Sequence, residues 1–391
     1  VTSEWNEGRG FEPIKNFSGN LSGANNSVTN LFINRSGTIP IGLFANVTGS
    51  NVIINNIELS SLAIDGAFGA PVGGLVGDVE LATGGILRIE SVVVNGTISG
   101  FPEVNNDPTI GGIVGSHTTS GTLYVNESNF DGAFDLQNFK SGNKLAPDKY
   151  GGIVGRAHLY DAHVINSSFT GGGVINFGGV PGEFGLAFGN GGFTGSDQRF
   201  VSNFYARVGA WADDGGIFYG DQDATQNLEN SFVVFNSTPS TPRDDIPGGG
   251  TRVYQLDSNP LKSSAYTSLT TAEMTGIAAE SNMTGFGFGN SWALTDSFPV
   301  LAHEAEAAFP IIDTDSLDTS ISGDAGDQVV VPVQVTNLGL SGNVNVSLTY
   351  VNGTGIDTNS TSINFGQTKS LNLSWHSGFD DAGVTVLSVR T

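Results

Sequence analysis

The chain has 391 residues, 56 glycines, no cysteine and a formal net charge of −23, with 15 Lys and Arg against 38 Asp and Glu. The charge excludes nucleic acid and anionic lipid surfaces as partners, and the lack of cysteine excludes disulfides and thiolate metal sites. No apolar run approaches the roughly 18 residues of a membrane-spanning helix, so direct membrane insertion is not expected. The acidity fits either simple solubility or life in concentrated salt.

A short glycine-rich motif repeats along the first half of the chain. Residues 73–77 (Gly-Gly-Leu-Val-Gly) recur as 111–115 and 151–155 (both Gly-Gly-Ile-Val-Gly), at spacings of 38 and 40 residues. A weaker copy precedes them at 41–44 and a degenerate copy follows at 215–218. A fixed period of this length indicates a repeat architecture.

Two short strands are predicted in each repeat, because β-branched residues alternate with polar ones and end at Asn, Ser or Gly. Such strands cannot bury a face alone, but stacked coils with parallel pairing can. The sequence therefore predicts an all-β protein with a parallel β-helix over residues 1–303. A propeller also has repeats of about 40 residues, but these strands are too short for four per repeat.

The repeat pattern changes further along the chain. Residues 176–250 are interpreted as an irregular insertion or an enlarged coil. A short helix with a Thr N-cap is predicted at 269–274. Residues 304–312 are assigned to a linker. Residues 313–391 show period-two strands, such as Val331, Val333 and Val335, that predict an Ig-like β-sandwich.

Asn-x-Ser/Thr sequons are abundant, with 14 in the chain where this composition predicts about six by chance. One interpretation is an extracellular glycoprotein; the other is accidental sequons in Asn- and Ser-rich turns. The strand pattern places Asn345 and Asn372 on the solvent face of the sandwich. The sequon asparagines are Asn16, Asn20, Asn25, Asn34, Asn46, Asn95, Asn126, Asn166, Asn236, Asn282, Asn345, Asn352, Asn359 and Asn372.

The repeated motif and its flanks resemble the GLUG motif of bacterial and archaeal surface proteins and adhesins, and the C-terminal module resembles a CARDB-type domain. The resemblance to GLUG-motif proteins spans about residues 1–303. It also rests on the segments around Trp5, 10–14, 28–35, 269–274, Trp292 and 298–301. It implies a cell-surface location, an archaeal source and an adhesive or display function, without catalytic residues.

These observations favour a glycosylated structural or adhesive surface protein, whose partners are copies of itself, other surface proteins or glycans. An exposed first coil would accept a strand from a neighbouring subunit, which would build a filament by strand addition.

We expect that the protein is not an enzyme. The alternative is a polysaccharide lyase or hydrolase, because some parallel β-helix proteins are enzymes of these classes. Its carboxylates and basic residues would come from Asp213, Asp214, Asp221, Asp223, Asp244, Asp245, Arg199, Arg207, Arg243 and Arg252.

Three further groups of residues bear on ligand binding. Asp313, Asp315 and Asp318 would hold a calcium ion at the domain boundary. None of the five histidines has metal-ligand spacing, so surface or turn positions are expected for His117, His158, His163, His303 and His376. An aromatic cluster predicts either a core or a platform for sugars or subunits: Phe184, Phe188, Phe193, Phe200, Phe204, Tyr205 and Trp211.

Overall fold

The computed structural model of the protein describes residues 4–102, 109–136, 149–157, 161–175, 183–190, 199–208, 226–235, 251–257, 266–314, 317, 326–350, 353–376 and 387–391. The chain forms two compact units, Val1–Thr270 and Thr271–Thr391.

Strands dominate both units. In the first unit they are β1 (Asn20–Thr29), β2 (Phe32–Asn34), β3 (Phe44–Phe68), β4 (Val72–Gly73), β5 (Val76–Pro102), β6 (Thr109–Gly111), β7 (Val114–His117), β8 (Gly121–Asn126), β9 (Asn129–Leu136), β10 (Lys149–Gly151), β11 (Val154–Ala157), β12 (Ala162–Ile175), β13 (Glu183–Gly185), β14 (Phe188–Asn190), β15 (Arg199–Val208), β16 (Gln226–Phe235), β17 (Thr251–Leu256) and β18 (Thr267–Leu269). In the second unit the elements are α1 (Thr271–Met274), α2 (Gly276–Asn282), β19 (Trp292–Ala293), β20 (Val300–Leu301), a 3-10 turn (Ala302–Glu304), β21 (Pro310–Ile312), β22 (Gln328–Asn337), β23 (Gly342–Tyr350), β24 (Gly355–Ile363), β25 (Thr368–His376) and β26 (Leu387–Arg390).

The first unit is a β-solenoid, which confirms the prediction of stacked parallel coils. Its strands pair in parallel, and equivalent apolar residues of successive coils form columns inside it. One column runs through Ile54, Ile89, Val125, Val164 and Val201, all fully buried. Each coil alone exposes the top and bottom of such side chains, so stacking supplies the buried apolar area that stabilises the fold.

The glycine motif marks where the coil turns back tightly on itself. Four short strands (β4, β6, β10 and β13) form a second parallel sheet just before these turns. A Cβ on Gly112 would overlap the carbonyl oxygen of Gly152 and the ring of Phe130. A Cβ on Gly155 would overlap the backbone of Ile110. The motif therefore requires glycine because backbones approach too closely for any side chain.

A further copy of the motif lies at 185–189 (Gly-Leu-Ala-Phe-Gly), inside the segment assigned to an insertion. Gly185 pairs with Gly151, and Phe188 pairs with Val154, in register with the earlier coils. The interpretation as an insertion is therefore wrong for residues 183–190. Strands β15 to β17 continue the same stack. The degenerate copy at Gly215 lies outside the described residues.

The C-terminal unit contains two three-stranded antiparallel sheets, β21-β22-β25 and β24-β23-β26. Burial alternates along β22 as predicted, and Val333, Val346 and Leu373 are fully buried in one core with residues of both sheets. The helix predicted near residue 271 is present as α1.

The boundary between the units lies at 270, not in the linker predicted at 304–312. Strand β21 lies within that predicted linker and pairs with β22. Upstream, the Leu294 amide donates a hydrogen bond to the Leu338 carbonyl across 2.9 Å. Trp292, in the same segment, is fully buried. Burial of this large apolar side chain makes the segment before β21 part of the C-terminal unit.

Candidate functional surface: the solenoid corners and the sequon asparagines

Each rung of the main sheet has a corner at which one residue adopts a left-handed conformation, with φ between 46° and 61°. The strand register places these residues in one column. Asparagine is frequent there because its short amide tolerates this conformation better than other side chains do. The column is Asn25, Asn56, Ser91, Glu127, Asn166, Asn203, Asn230 and Arg252.

The corner conformation interrupts backbone hydrogen bonding between neighbouring rungs. Buried serine hydroxyls form hydrogen bonds with the backbone groups there. The Ser128 hydroxyl accepts from the Val92 amide at 3.1 Å and donates to the Asn126 carbonyl at 2.8 Å. Ser167 likewise accepts from the Ser128 amide at 3.2 Å. Because an unpaired buried amide costs about 1–3 kcal/mol, a serine after the corner residue stabilises the turns at Glu127 and Asn166. The Asn-x-Ser of 126–128 is therefore a corner sequence as well as a sequon.

Two side-chain amide ladders cross the rungs beside these corners. Asn203 donates to Asn166 at 2.9 Å, and Asn166 donates to Asn126 at 3.2 Å. In the second ladder, the Asn46 amide nitrogen donates to Asn16 at 2.9 Å and to the Glu80 carboxylate at 3.3 Å.

None of the 12 sequon asparagines within the described residues is buried; Asn236 and Asn352 lie outside them. They differ in how the amide nitrogen, the atom that would carry a glycan, is used. It donates hydrogen bonds in Asn46, Asn95, Asn166, Asn282 and Asn359. Asn34 and Asn126 are half-buried. The exposed sequon asparagines are Asn16, Asn20, Asn25, Asn345 and Asn372.

Three of the seven residues in the predicted aromatic cluster belong to the core. Phe188 and Phe204 are fully buried, and Tyr205 is buried with its ring stacked on Phe232 at 5.3 Å between centroids. A sugar-stacking platform is therefore wrong for these three residues, because their ring faces are covered. Phe200 is half-buried beside His163. The side chains of Phe184, Phe193 and Trp211 lie outside the described part.

The four described histidines differ in burial. His117 is fully buried, with its Nε2 and the Gly121 carbonyl 3.2 Å apart, and burial lowers its pKa. The predicted surface position is wrong for this residue, because it ends strand β7 between Val79 and Ala157 of the neighbouring rungs. His163 is half-buried and stacks on Tyr124, and desolvation lowers its pKa. His303 and His376 are exposed, and His158 lies outside the described residues.

One carboxylate in the solenoid has a perturbed pKa. Burial, followed by repulsion from Glu80, raises the pKa of Asp78 to about 6. Ser116 and Arg156 occupy the equivalent positions on the next two rungs. The Val79 amide donates to the Asp78 carboxylate at 3.0 Å.

Most of the remaining candidate residues lie outside the described part of the chain. All six acids proposed for an enzyme lie outside the described residues, as does Arg243. Arg199 is buried, Arg207 is half-buried and Arg252 is exposed. Asp313 is exposed, while Asp315 and Asp318 lie outside, so the calcium site stays a prediction. Within the described ranges, no three His, Asp or Glu residues are grouped as metal ligands would be.

The fold and its surface define the class of protein: a repeat-built β-solenoid with polar corner ladders and sequons at its surface, followed by a smaller β unit. The helices in the described ranges are too short and too polar to span a bilayer.

The chain is similar to halomucin of Haloquadratum walsbyi (strain DSM 16790 / HBSQ001), with 28% identity over 337 residues. The similarity covers 85% of the chain, which spans only 3% of the length of halomucin. No family model matches the chain. No solved structure matches it either. The resemblances to GLUG-motif and CARDB-type proteins therefore rest on the motifs quoted above.

Proposed function

We propose that the chain is part of an extracellular, glycosylated cell-surface protein of a halophilic archaeon, with a structural or adhesive function. The observation that carries this proposal is the similarity to halomucin along 85% of the chain. The net charge of −23 supports it, because hydrated carboxylates keep proteins soluble and apart in concentrated salt. The accessible sequon asparagines support the glycosylation.

The repeat motif supports a GLUG-type array in the solenoid, and the two facing sheets support an Ig-like, CARDB-type module at the C-terminal end. Neither unit has an assigned catalytic function in this proposal. The partners are copies of the chain, other surface proteins or glycans. Cleavage of a polysaccharide that is lost in an Asp213→Asn or Asp244→Asn variant would instead establish the lyase or hydrolase alternative.

The proposal is tested on cell-derived protein at growth salt. We expect surface labelling of intact cells by an antibody against the solenoid, and glycopeptides in a tryptic digest of the surface fraction. Labelling only after the cells are lysed would contradict the surface location.

A filament subunit is a second candidate, favoured by the parallel pairing of successive coils, which a strand from another copy of the chain would continue. Electron microscopy of the same preparation would reveal fibres, and deletion of residues 313–391 would abolish them if the C-terminal unit donates the strand. Fibres that persist after the deletion would exclude this version of strand addition.

A further inference from the structure

The side-chain amide of Asn46 uses both of its ends in hydrogen bonds. Its Oδ1 accepts from the backbone N–H of Asn16 at 2.7 Å. Its Nδ2 donates to the side-chain oxygen of Asn16 at 2.9 Å and to the Glu80 carboxylate at 3.3 Å. Because a backbone N–H only donates and a carboxylate only accepts, these partners fix which end of the amide is the nitrogen. Both hydrogens of that nitrogen are therefore engaged within the protein.

Asn282 is a second sequon asparagine with both amide hydrogens engaged. It is the last residue of α2, and its Nδ2 donates to the carbonyl oxygens of Ala278 at 2.9 Å and Glu273 at 3.4 Å. Carbonyl oxygens only accept, so the orientation of this amide is fixed as well. The two hydrogen bonds join the end of α2 to its own preceding turn and to α1.

N-glycosylation is incompatible with a nitrogen that donates twice. In this reaction Nδ2 forms a bond to the anomeric carbon of an activated sugar phosphate, the phosphate leaves with the electron pair of its bond to that carbon, and Nδ2 loses one proton to a base. A glycosylated asparagine therefore has one N–H where the free side chain has two. Asn46 and Asn282 would each lose a hydrogen bond, and the bulky sugar would lie where the acceptor now lies.

Asn345 and Asn372 are the opposite case. Asn345 is exposed on β23 and Asn372 is exposed on β25, and each lies between two residues buried in the C-terminal core. Neither donates a side-chain hydrogen bond within the described part of the chain. A glycan on either nitrogen would replace a hydrogen that faces solvent, and no contact between described residues would be lost.

We propose that hydrogen bonding divides the sequons of this chain into two groups. Asn46 and Asn282 are structural asparagines that the fold protects from glycosylation, whereas Asn345 and Asn372 carry glycans. The C-terminal unit then has a glycan on each of its two three-stranded sheets, one on β23 and one on β25. This inference rests on the proposed function, because it requires the chain to be glycosylated.

The first test is glycopeptide mass spectrometry of the full chain, produced in a glycosylating archaeal host. We expect the occupancy of Asn345 and Asn372 to exceed that of Asn46 by about tenfold or more, since one hydrogen bond corresponds to roughly that factor in an equilibrium constant. Asn282 should be as poorly occupied as Asn46. Equal occupancy of the two groups, or glycans only at other sequons, would overturn this inference alone. No glycan at any sequon would overturn the glycoprotein proposal as well.

The second test frees one hydrogen of Asn46. Glu80→Ala removes an acceptor, so we expect a glycan to appear at Asn46 in this variant while Asn282 stays unmodified. Adding Thr48→Ala destroys the sequon and should abolish the new glycan. Glu58→Ala is the matched control, because it removes an exposed glutamate of β3 that accepts no hydrogen bond from Asn46. An Asn46 that stays unmodified in Glu80→Ala, or is modified equally in Glu58→Ala, would overturn the proposal.

Thermal unfolding tests the structural role of the same amide. Asn46→Ala and Thr48→Ala both destroy the sequon, but only the first removes the three hydrogen bonds. We expect Asn46→Ala to lower the melting temperature by at least about 2 °C and Thr48→Ala to lower it less. Equal shifts would overturn the structural role of Asn46.

Discussion

Asn166 and Asn126 lie on successive rungs, and the side-chain amide nitrogen of Asn166 donates to the side-chain oxygen of Asn126 across 3.2 Å. Both residues begin a sequon. The hydrogen bond uses the atom that glycosylation would modify, so the same residue type has two different functions in this chain. Asn166 stabilises a corner, whereas Asn20 and Asn25 face solvent without such a contact.

Replacing Asn166 by alanine tests the structural function. The variant loses two partly buried hydrogen bonds, with Asn126 and Asn203, and places alanine at φ 46°. We expect the free energy of unfolding to fall by about 1–2 kcal/mol, measured by denaturant titration. The control is Asn20→Ala, on an exposed strand position, with an expected change within about 0.5 kcal/mol. Equal effects of the two substitutions would argue against the ladder.

Replacing Gly112 by alanine tests the close approach of backbones at the repeat motif. The new methyl group would overlap the Gly152 carbonyl and the Phe130 ring, so we expect a loss of more than about 3 kcal/mol or a failure to fold. The control is Gly84→Ala, which has φ 72° but no atom within 4 Å of the new Cβ. It should lose only about 1 kcal/mol, from backbone strain. Similar losses would mean that conformation, rather than space, requires glycine.

Asp78→Asn tests the half-buried carboxylate with the raised pKa. The folded pKa of about 6 exceeds the ordinary value of 3.8, so the folded state keeps a proton that the unfolded state has lost between these values. The contribution of Asp78 to stability is complete below about pH 4 and is lost as the pH rises through 6. The variant should therefore be more stable than the wild type by about 2–3 kcal/mol at pH 7.5 and equal to it at pH 4.

The measurement for Asp78 is thermal unfolding at the two pH values. Glu80→Gln is the comparison, because repulsion from Glu80 is the second cause of the raised pKa after burial. Its stabilisation at pH 7.5 should be smaller than that of Asp78→Asn. A larger effect of Glu80→Gln would identify charge repulsion, rather than burial, as the main cause.

The calcium hypothesis is tested by thermal unfolding with and without EDTA. If Asp313, Asp315 and Asp318 bind calcium, chelation should lower the melting temperature of the wild type and leave an Asp315→Asn/Asp318→Asn variant unchanged. An identical melting curve for the wild type in EDTA would end the hypothesis.

The periodic features of the fold could be predicted from the sequence, and the isolated ones could not. Three glycine motifs at nearly equal spacing predicted the stacked coils, and alternation along β22 predicted which valines are buried. The copy at 185–189 was missed because only its first and last glycines match the motif. Its register is set by pairing with the previous coil, a contact between residues 34 positions apart.

The column of left-handed corner residues could not be predicted from the sequence either. Its members share a backbone conformation rather than a side-chain type, since Ser91, Glu127 and Arg252 occupy the same position as the asparagines. The burial of His117 follows from the neighbouring coils and not from its own segment. The local sequence therefore carries little signal for either feature, although the serines that follow Glu127, Asn166 and Asn230 could have indicated three of the corners.

The parallel stack limits the length that the solenoid gains for each residue of the chain. Ile54, Ile89 and Val125 are successive members of one column, so a rung uses about 36 residues, while it rises only about 4.8 Å. The same number of residues in a single α-helix would extend about 54 Å. Each rung of the solenoid therefore adds much lateral surface and little length. A long extension would require many such units joined in series.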